Sequence, residues 1–130
     1  MPNAKITEIN TISEAIYPQV SAAISSSVLV DMRDYREYCA VVSHGTATTA
    51  STFVVKVYES TASTWAGGVA TLLSTTTTSI ATASTAVAKV NVASDDLTEG
   101  SRYLGIYVTK VDTASSLSAV TIASNDRYLG

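Results

Sequence analysis

Cys39 and His44 are the side chains of this sequence whose chemistry could pair a nucleophile with a base. Side chains alternate along a strand, so their odd spacing puts the two on opposite faces. Cys39 lies inside a predicted strand and is expected to be a small buried residue, whereas His44 precedes Gly45 and is expected in an exposed turn. One cysteine and one histidine also cannot fill a tetrahedral zinc site. The sequence therefore predicts neither a catalytic pair nor a zinc centre.

Three acidic residues, Asp95, Asp96 and Glu99, are close enough in sequence to offer oxygen ligands to a calcium ion. A calcium loop also needs alternating acids around a central glycine, and that pattern is missing. We therefore expect a solvated turn here, and no metal or cofactor for the chain. Because no residues are arranged for catalysis, we do not expect an enzyme.

Aromatic side chains offer a different chemistry, the stacking of rings. Two interpretations remain open for Trp65: a cap over the end of the fold, or an exposed anchor for a partner. The tyrosines could stack on sugars or bases, or they could line sheet edges with their rings inward and their hydroxyls in water. Most of the seven lie in or beside predicted strands: Tyr35, Tyr38, Tyr58, Tyr103, Tyr107 and Tyr128.

The elements that must position these side chains begin with the stretch from Val28 to Glu59, which holds two apolar segments. In the second segment Phe53, Val55 and Val57 share one face, which is the period of a half-buried strand. The first segment is apolar on both faces, as expected of an interior strand. The turn-forming residues between His44 and Ser51 predict that the two segments form one antiparallel pair.

Further strands follow without any helical pattern between them. The low-complexity stretch from Ser60 to Thr85 predicts one or two irregular edge strands, since its four consecutive threonines favour extended backbone. A strand at 87–92 has one wet face, and Gly105 in the next strand indicates a bulge or a close neighbour. The last strand, 119–123, is predicted to point Val120 and Ile122 inward. The fold class is therefore all-β, an antiparallel β-sandwich or a jelly-roll-like barrel.

Residues 1–27 differ from the predicted body, residues 28–130. Their isoleucines recur at intervals of three and four, which suits a short amphipathic helix, but the threonines and Pro18 weaken that interpretation, and an extended N-terminal arm is the alternative. In either form, an apolar stripe has to be buried on its own sheet or on a neighbour. The residues of this segment expected to bind a partner are Ile6, Ile9, Ile12, Ile16 and Tyr17, with Trp65 as a further candidate.

Composition limits the possible partners. Hydrophobic residues make up 46% and charged residues 15% of the 130-residue chain, and the net charge is −3. Serine and threonine supply more than a quarter of the residues, so hydroxyls replace charges over much of the surface. The eight basic residues are scattered, which argues against nucleic acid as a partner. No apolar run reaches the roughly 20 residues needed to cross a membrane, and the amino terminus lacks a secretion signal, so we expect cytoplasmic synthesis and no membrane.

Four stretches together resemble a family of small tailed-bacteriophage virion proteins: VDMRDYREYCAVVSHGT, STFVVKVYES, DDLTEGSRYLGIYVTKVDTASS and the AVTIASNDRY ending. The resemblance covers roughly residues 28–130. It implies a β-sandwich made alongside the major capsid protein, and a role as a decoration or cement protein on the capsid exterior. It carries no catalytic residues.

The first functional hypothesis is therefore a capsid-binding structural protein of the virion, whose partners are the major capsid protein and further copies of itself in a dimer or trimer. Two alternatives remain. One is a carbohydrate- or cell-surface-binding module that uses Trp65 and exposed tyrosines as stacking platforms, and the other is a neck or tail component of the virion.

Overall fold

The computed structural model describes residues 10–20, 22–26, 29–65, 70–111 and 115–124. These residues form nine β-strands and one short 3-10 turn at Ser94–Asp96. The strands are β1 (Asn10–Gln19), β2 (Ala23–Ser25), β3 (Val30–Asp31), β4 (Glu37–His44), β5 (Ser51–Ser60), β6 (Ala70–Ile80), β7 (Ala86–Ala93), β8 (Tyr103–Lys110) and β9 (Leu117–Ser124).

The strands build two sheets whose recorded pairs are all antiparallel. The first sheet has the order β1-β9-β4-β7, and the second has the order β2-β8-β5-β6, with β3 also pairing with β8. The two sheets enclose one hydrophobic cluster. The prediction of an all-β antiparallel sandwich is confirmed.

Alternation along the strands explains the core. In β5 every second residue from Phe53 to Glu59 is buried, and in β8 the inward row runs from Leu104 to Lys110. In β7 the inward row is Ala88, Val90 and Val92, as the sequence pattern predicted. Each strand therefore contributes one apolar face to the space between the sheets, and most of the buried apolar area comes from this space.

The predicted pairing of β4 with β5 is wrong. β4 pairs with β7 and β9 in the first sheet, whereas β5 pairs with β6 and β8 in the second. The connection after His44 is long enough to cross from one sheet to the other, so the two strands face each other through the core. Both have an apolar face because each is an interior strand of its own sheet. The sequence pattern of two such strands is the same as that of two strands joined in a hairpin.

The predicted orientation of β9 is also wrong. Its inward row is Leu117, Ala119, Thr121 and Ala123, while Val120 points outward and is 39% exposed. Ile122 is half-buried on the same outward row. The sequence pattern predicted the opposite orientation because, within the predicted strand 119–123, the larger apolar side chains lie on the outer face and the inward positions are alanines and a threonine.

The described part of residues 1–27 is extended. β1 is the edge strand of the first sheet and pairs with β9, and β2 pairs with β8 in the second sheet. Ile16 and Ile24 are buried in the core. These residues therefore pack as strands of the sandwich, and a helix does not form between residues 10 and 19. The division of the chain at residue 27 stays a prediction.

The described ranges contain no helix with the length and hydropathy needed to cross a membrane.

Candidate functional site

The two candidates for nucleophilic chemistry lie on opposite faces of β4, as predicted. Cys39 is half-exposed on the outer face, and burial raises the pKa of its thiol, which disfavours the nucleophilic thiolate. The expectation that His44 is exposed is wrong, because it is the last residue of the inward row of β4 and only 2% exposed. Its ring lies 5.4 Å from the ring of Phe53. His44 is therefore part of the core.

The acidic residues after β7 lie at the surface. Asp95 and Asp96 belong to the 3-10 turn, and Glu99 follows in an exposed turn. A carboxylate oxygen of Asp96 accepts a hydrogen bond from the backbone N–H of Ala93 at 3.2 Å. Within the described ranges, no three histidine, cysteine, aspartate or glutamate side chains come together as a metal site would require.

The outer face of the second sheet carries an aromatic pocket of about 360 Å³. That volume is near the lower end of the range of small-molecule sites, about 300–1,000 Å³. None of the five described residues that line it is an aspartate, glutamate, lysine, arginine or histidine. We call this site the aromatic pocket, and it is lined by Ser25, Tyr58, Trp65, Ala70 and Tyr107.

Trp65 is held in a defined orientation. Its indole Nε1–H donates a hydrogen bond of 2.7 Å to the carbonyl oxygen of Ser26. Ser26 is in turn fixed to β8, because its Oγ accepts a hydrogen bond from the N–H of Ile106 at 3.1 Å and its own N–H donates to the carbonyl of Ile106. The indole is therefore anchored to the edge of the sheet, which pre-organises the pocket.

Gly105 makes room for the indole. A Cβ at this position would lie 2.7 Å from Cζ2 of Trp65 and would also collide with Leu29. The predicted close neighbour at this glycine is confirmed. Trp65 is half-buried on the outer face of the second sheet, so the described contacts hold its ring against the sheet rather than between the two sheets.

The geometry of the rings determines what the pocket can bind. The rings of Tyr58 and Trp65 are 5.9 Å apart at an angle of 76°, so one ring presents its edge to the face of the other. Tyr107 and the exposed Ser25 pair across β8 and β2, which adds hydroxyl groups beside the rings. A neutral ligand with an apolar face and a hydroxyl-bearing edge matches the described lining, and Lys56, which lies beside Tyr107 across β5 and β8, is outside it.

A second surface lies on the outer face of the first sheet. Val41 of β4 lies directly beside Val120 of β9, and Cys39 lies beside Ile122. These four side chains, Cys39, Val41, Val120 and Ile122, form what we call the apolar patch. All four are half-buried or exposed, because the described residues place no further layer over this sheet.

Charged residues border the patch at both ends of one row of side chains. In one row across the sheet Glu14 of β1 pairs with Val120, and Lys89 of β7 pairs with Val41. The row therefore reads acidic, apolar, apolar, basic. An apolar centre with a polar rim is the usual anatomy of a protein–protein interface.

The predicted partner-binding residues of the amino-terminal segment do not form one surface. Ile6 and Ile9 lie outside the described residues, and Ile12 lies in β1 beside Ile122. Ile16 is buried in the core, so its side chain stabilises this chain's own fold. Tyr17 is 64% exposed and is available to a partner. The isoleucine spacing therefore identified at least one residue, Ile16, that is buried in the chain's own core.

Sequence reasoning missed the apolar patch, although one signal for it was present. β4 is apolar on both faces, and an interior strand of a two-layer sandwich buries only one of them. Its second face therefore had to be exposed or covered by a partner. Ser25 of the aromatic pocket had no such signal, because the pairing of β2 with β8 brings it there.

The chain matches no protein-family model, and a search of curated proteins finds no match either. Solved structures show the same fold. The chain superposes on a chain of the T13 viral particle of infectious bursal disease virus with a TM-score of 0.58 and 11% identity, covering 89% of this chain and 31% of that one. It superposes on the PBSX exported protein XepA with a TM-score of 0.55 and 13% identity, covering 98% of this chain and 41% of that one.

A third neighbour is the endo-1,4-β-D-xylanase 10B of Clostridium thermocellum, in a structure of its CBM22-1 and GH10 modules complexed with xylohexaose. The TM-score is 0.50 at 12% identity, and the match covers 94% of this chain and 27% of that one. The chain thus spans less than half the length of each of these three proteins. At such identities the likeness shows the fold alone, a β-sandwich that occurs in viral and in carbohydrate-active proteins.

Proposed function

We propose that this protein is a structural component of a bacteriophage virion that binds the capsid and stabilises it through protein–protein contacts. The observation that carries the proposal is the apolar patch, which the described residues leave uncovered on the outer face of the first sheet, with Glu14 and Lys89 at the two ends of one row. The fold shared with a viral particle and with a PBSX exported protein supports it. So does the resemblance of residues 28–130 to phage decoration proteins.

Burial of the patch supplies the driving force for attachment. Apolar surface removed from water stabilises a complex by roughly 25 cal/mol per Å² before the costs of association are subtracted. One patch of four side chains is a small contact. A shell presents many identical sites, however, so a protein that oligomerises gains avidity from several such contacts at once. The charges at Glu14 and Lys89 would set the orientation of the partner.

Val120→Lys tests this proposal. The side chain is exposed in the isolated protein, so the substitution should leave the circular dichroism spectrum and the melting temperature nearly unchanged. At a buried interface the lysine would lose its water without gaining a partner, and capsid affinity should fall at least about tenfold. The measurement is co-sedimentation with phage capsids that lack this protein.

Val54→Lys is the matched control, because it is the same change on the outward row of β5 in the second sheet. It should saturate capsids as the wild type does. If Val120→Lys binds capsids as tightly as the wild type does, the apolar patch is not part of the contact. If the wild-type protein does not bind capsids, the capsid proposal itself is contradicted.

The aromatic pocket favours a second candidate function, carbohydrate binding. The CH face of a sugar ring packs on aromatic rings while its hydroxyls hydrogen-bond at the edge, and the pocket combines both features in a neutral lining. The xylohexaose complex of one structural neighbour supports the choice of a polysaccharide as the ligand class. A virion protein with such a pocket would attach to glycans of the host surface.

Tyr107→Ala tests the second candidate, because Tyr107 lines the pocket without holding Trp65 in place. Binding to the glycans selected on an array, measured by calorimetry, should weaken at least about tenfold. Tyr103→Ala is the control, since Tyr103 lies on the same outward row of β8 and does not line the pocket. Equal affinity of the Tyr107 and Tyr103 variants, or no glycan bound by the wild type, would exclude this function.

A further inference from the structure

In the part of the chain that the structure describes, the edge strand β6 has one side without a strand partner. It extends for eleven residues, Ala70–Ile80, and in the described structure it pairs with β5 and with no other strand. An edge strand presents a row of backbone N–H and C=O groups that can pair with another chain. Natural proteins protect such edges by charge, proline, short length or irregularity.

β6 lacks these protections over most of its length. Its sequence contains no charged residue and no proline. The one irregularity of its pairing with β5 lies near Leu73, where the partner of Val57 is Ser74 and the partner of Tyr58 is Leu72. The segment that follows, residues 74–80, pairs with β5 in regular register over seven residues.

The other described edges are protected. β1 contains Glu14 and Pro18, and its pairing with β9 is interrupted twice. β7 carries Lys89 on its outer face, and β2 and β3 have three and two residues. Among the described edge strands, β6 is therefore the long one that is open to pairing.

The sequence of β6 is complementary to itself. Ser74, Thr76 and Thr78 face the core side, and Thr75, Thr77 and Ser79 face outward. A two-fold axis perpendicular to the sheet relates antiparallel strands and keeps each residue on its own face. If the axis passes beside Thr77, then Thr77 of one copy pairs with Thr77 of the other. In the same register Thr76 pairs with Thr78 of the other copy, and Thr75 pairs with Ser79 of the other copy.

The central pairs of that register, from residue 75 to residue 79, join hydroxyl-bearing side chains, and the outermost pair of the segment joins Ser74 to Ile80. Pairs of threonine with threonine or serine are favourable neighbours in antiparallel sheets, and the branched side chains suit extended backbone. The absence of charge from the segment also removes the repulsion that two identical charged edges would have. An edge of this kind fits a second copy of itself better than it fits a partner of unrelated sequence.

We propose that two copies of this protein associate through β6, in antiparallel register around Thr77, and join their five-stranded sheets into one continuous sheet of ten strands. The interface is isologous, since each copy contributes the same strand. It leaves the apolar patch of both copies free, because the patch lies on the other sheet. The proposal goes beyond capsid attachment and does not depend on it.

The experiment measures the mass of the purified full chain by sedimentation velocity over a range of concentrations. The wild type should be a dimer that dissociates on dilution. Thr77→Lys and Thr77→Glu should each raise the dissociation constant at least about tenfold, because the two-fold axis places like charges opposite each other. An equimolar mixture of the two variants should form a heterodimer, since opposite charges then meet.

Asn91→Lys is the control, because Asn91 is an exposed outward residue on the edge strand β7. It should dimerise as the wild type does. A monomeric wild type at its highest soluble concentration would overturn the proposal, and so would a dimer that survives Thr77→Lys unchanged. A lack of heterodimer in the mixture would reject the register around Thr77. Since no capsid is present, these outcomes are separate from those of the Val120→Lys experiment.

Discussion

Gly105 is the residue on which the aromatic pocket depends. Its missing side chain lets Trp65 and Leu29 lie against the sheet, and a Cβ there would be 2.7 Å from the indole. Backbone in β8 cannot move easily, because the strand pairs with β5 on one side and with β2 and β3 on the other. The indole or the leucine would therefore have to shift.

We predict that Gly105→Ala lowers the free energy of unfolding by about 1–3 kcal/mol, the usual cost of overpacking. Urea denaturation measures this, and the fluorescence of Trp65, the single tryptophan of the chain, reports the movement of the indole. In a Leu29→Ala background the additional destabilisation caused by Gly105→Ala should be smaller, because the shortened side chain leaves space for the new Cβ. A Gly105→Ala protein with wild-type stability and emission would contradict the packing described for this site.

His44 illustrates how a neighbour in sequence can mislead. Gly45 marks a turn, yet β4 continues through His44 and points its ring into the core. Nδ1 lies 2.6 Å from the carbonyl oxygen of Gly45, and because a carbonyl only accepts, Nδ1 carries the proton in that bond. Nε2 has no hydrogen-bond partner among the described residues. The histidine is therefore held by one hydrogen bond and by packing against Phe53.

At the scale of elements, β1 completes the first sheet. It covers the edge of β9, and Ala15 and Ile16 are both buried beside the register shift that follows Glu14. Pro18 is compatible with this position, because an edge strand has backbone N–H groups that no neighbour requires. The amino-terminal residues that looked like an arm therefore contribute both hydrogen bonds and core packing.

Deletion of residues 1–27 should consequently destabilise the domain, although the sequence suggested that it would leave a folded body. It removes β1, β2 and the buried side chains of Ile16 and Ile24. Truncating one such side chain typically costs about 2–5 kcal/mol, and a domain of this size has only about 5–15 kcal/mol in total. We expect the truncated chain to be unfolded or aggregated by circular dichroism and light scattering.

Tyr17→Ser is the matched variant for this segment, because the side chain is largely exposed and its loss leaves the strand in place. The Tyr17→Ser protein should fold normally, and its binding to capsids in the co-sedimentation measurement shows whether this segment contacts the capsid. Cooperative unfolding of the truncated chain at the wild-type temperature would contradict the role assigned to β1.

At the scale of the whole molecule, the two candidate surfaces lie on opposite outer faces. The apolar patch is on β4 and β9 of the first sheet, and the aromatic pocket is on β5 and β8 of the second, with the core between them. Stacked sheets are about 10 Å apart, and substitutions at that distance with no shared partners are usually additive. The Val120 and Tyr107 variants should therefore affect capsid and glycan binding independently. A dimer through β6 would leave both apolar patches accessible, because they lie on the other sheet.

The alternation of apolar residues by itself determined the fold class, most of the strands and the inward rows of β5, β7 and β8. These features are local, because a strand with one apolar and one polar face can bury its apolar face in only one orientation. Gly105 could also be recognised as a position of close approach, since a glycine inside an apolar strand has few other uses.

Only the tertiary structure decided which strands are partners and which face of a doubly apolar strand is covered. β4 and β5 look like a hairpin but belong to different sheets, and Val120 and Ile122 look like core but lie outside it. Pairing and sidedness arise from contacts between residues far apart in the chain, and local hydrophobicity contains no information about them. For the same reason the aromatic pocket, which four strands and a loop assemble, appears in the sequence only as scattered tyrosines and one tryptophan.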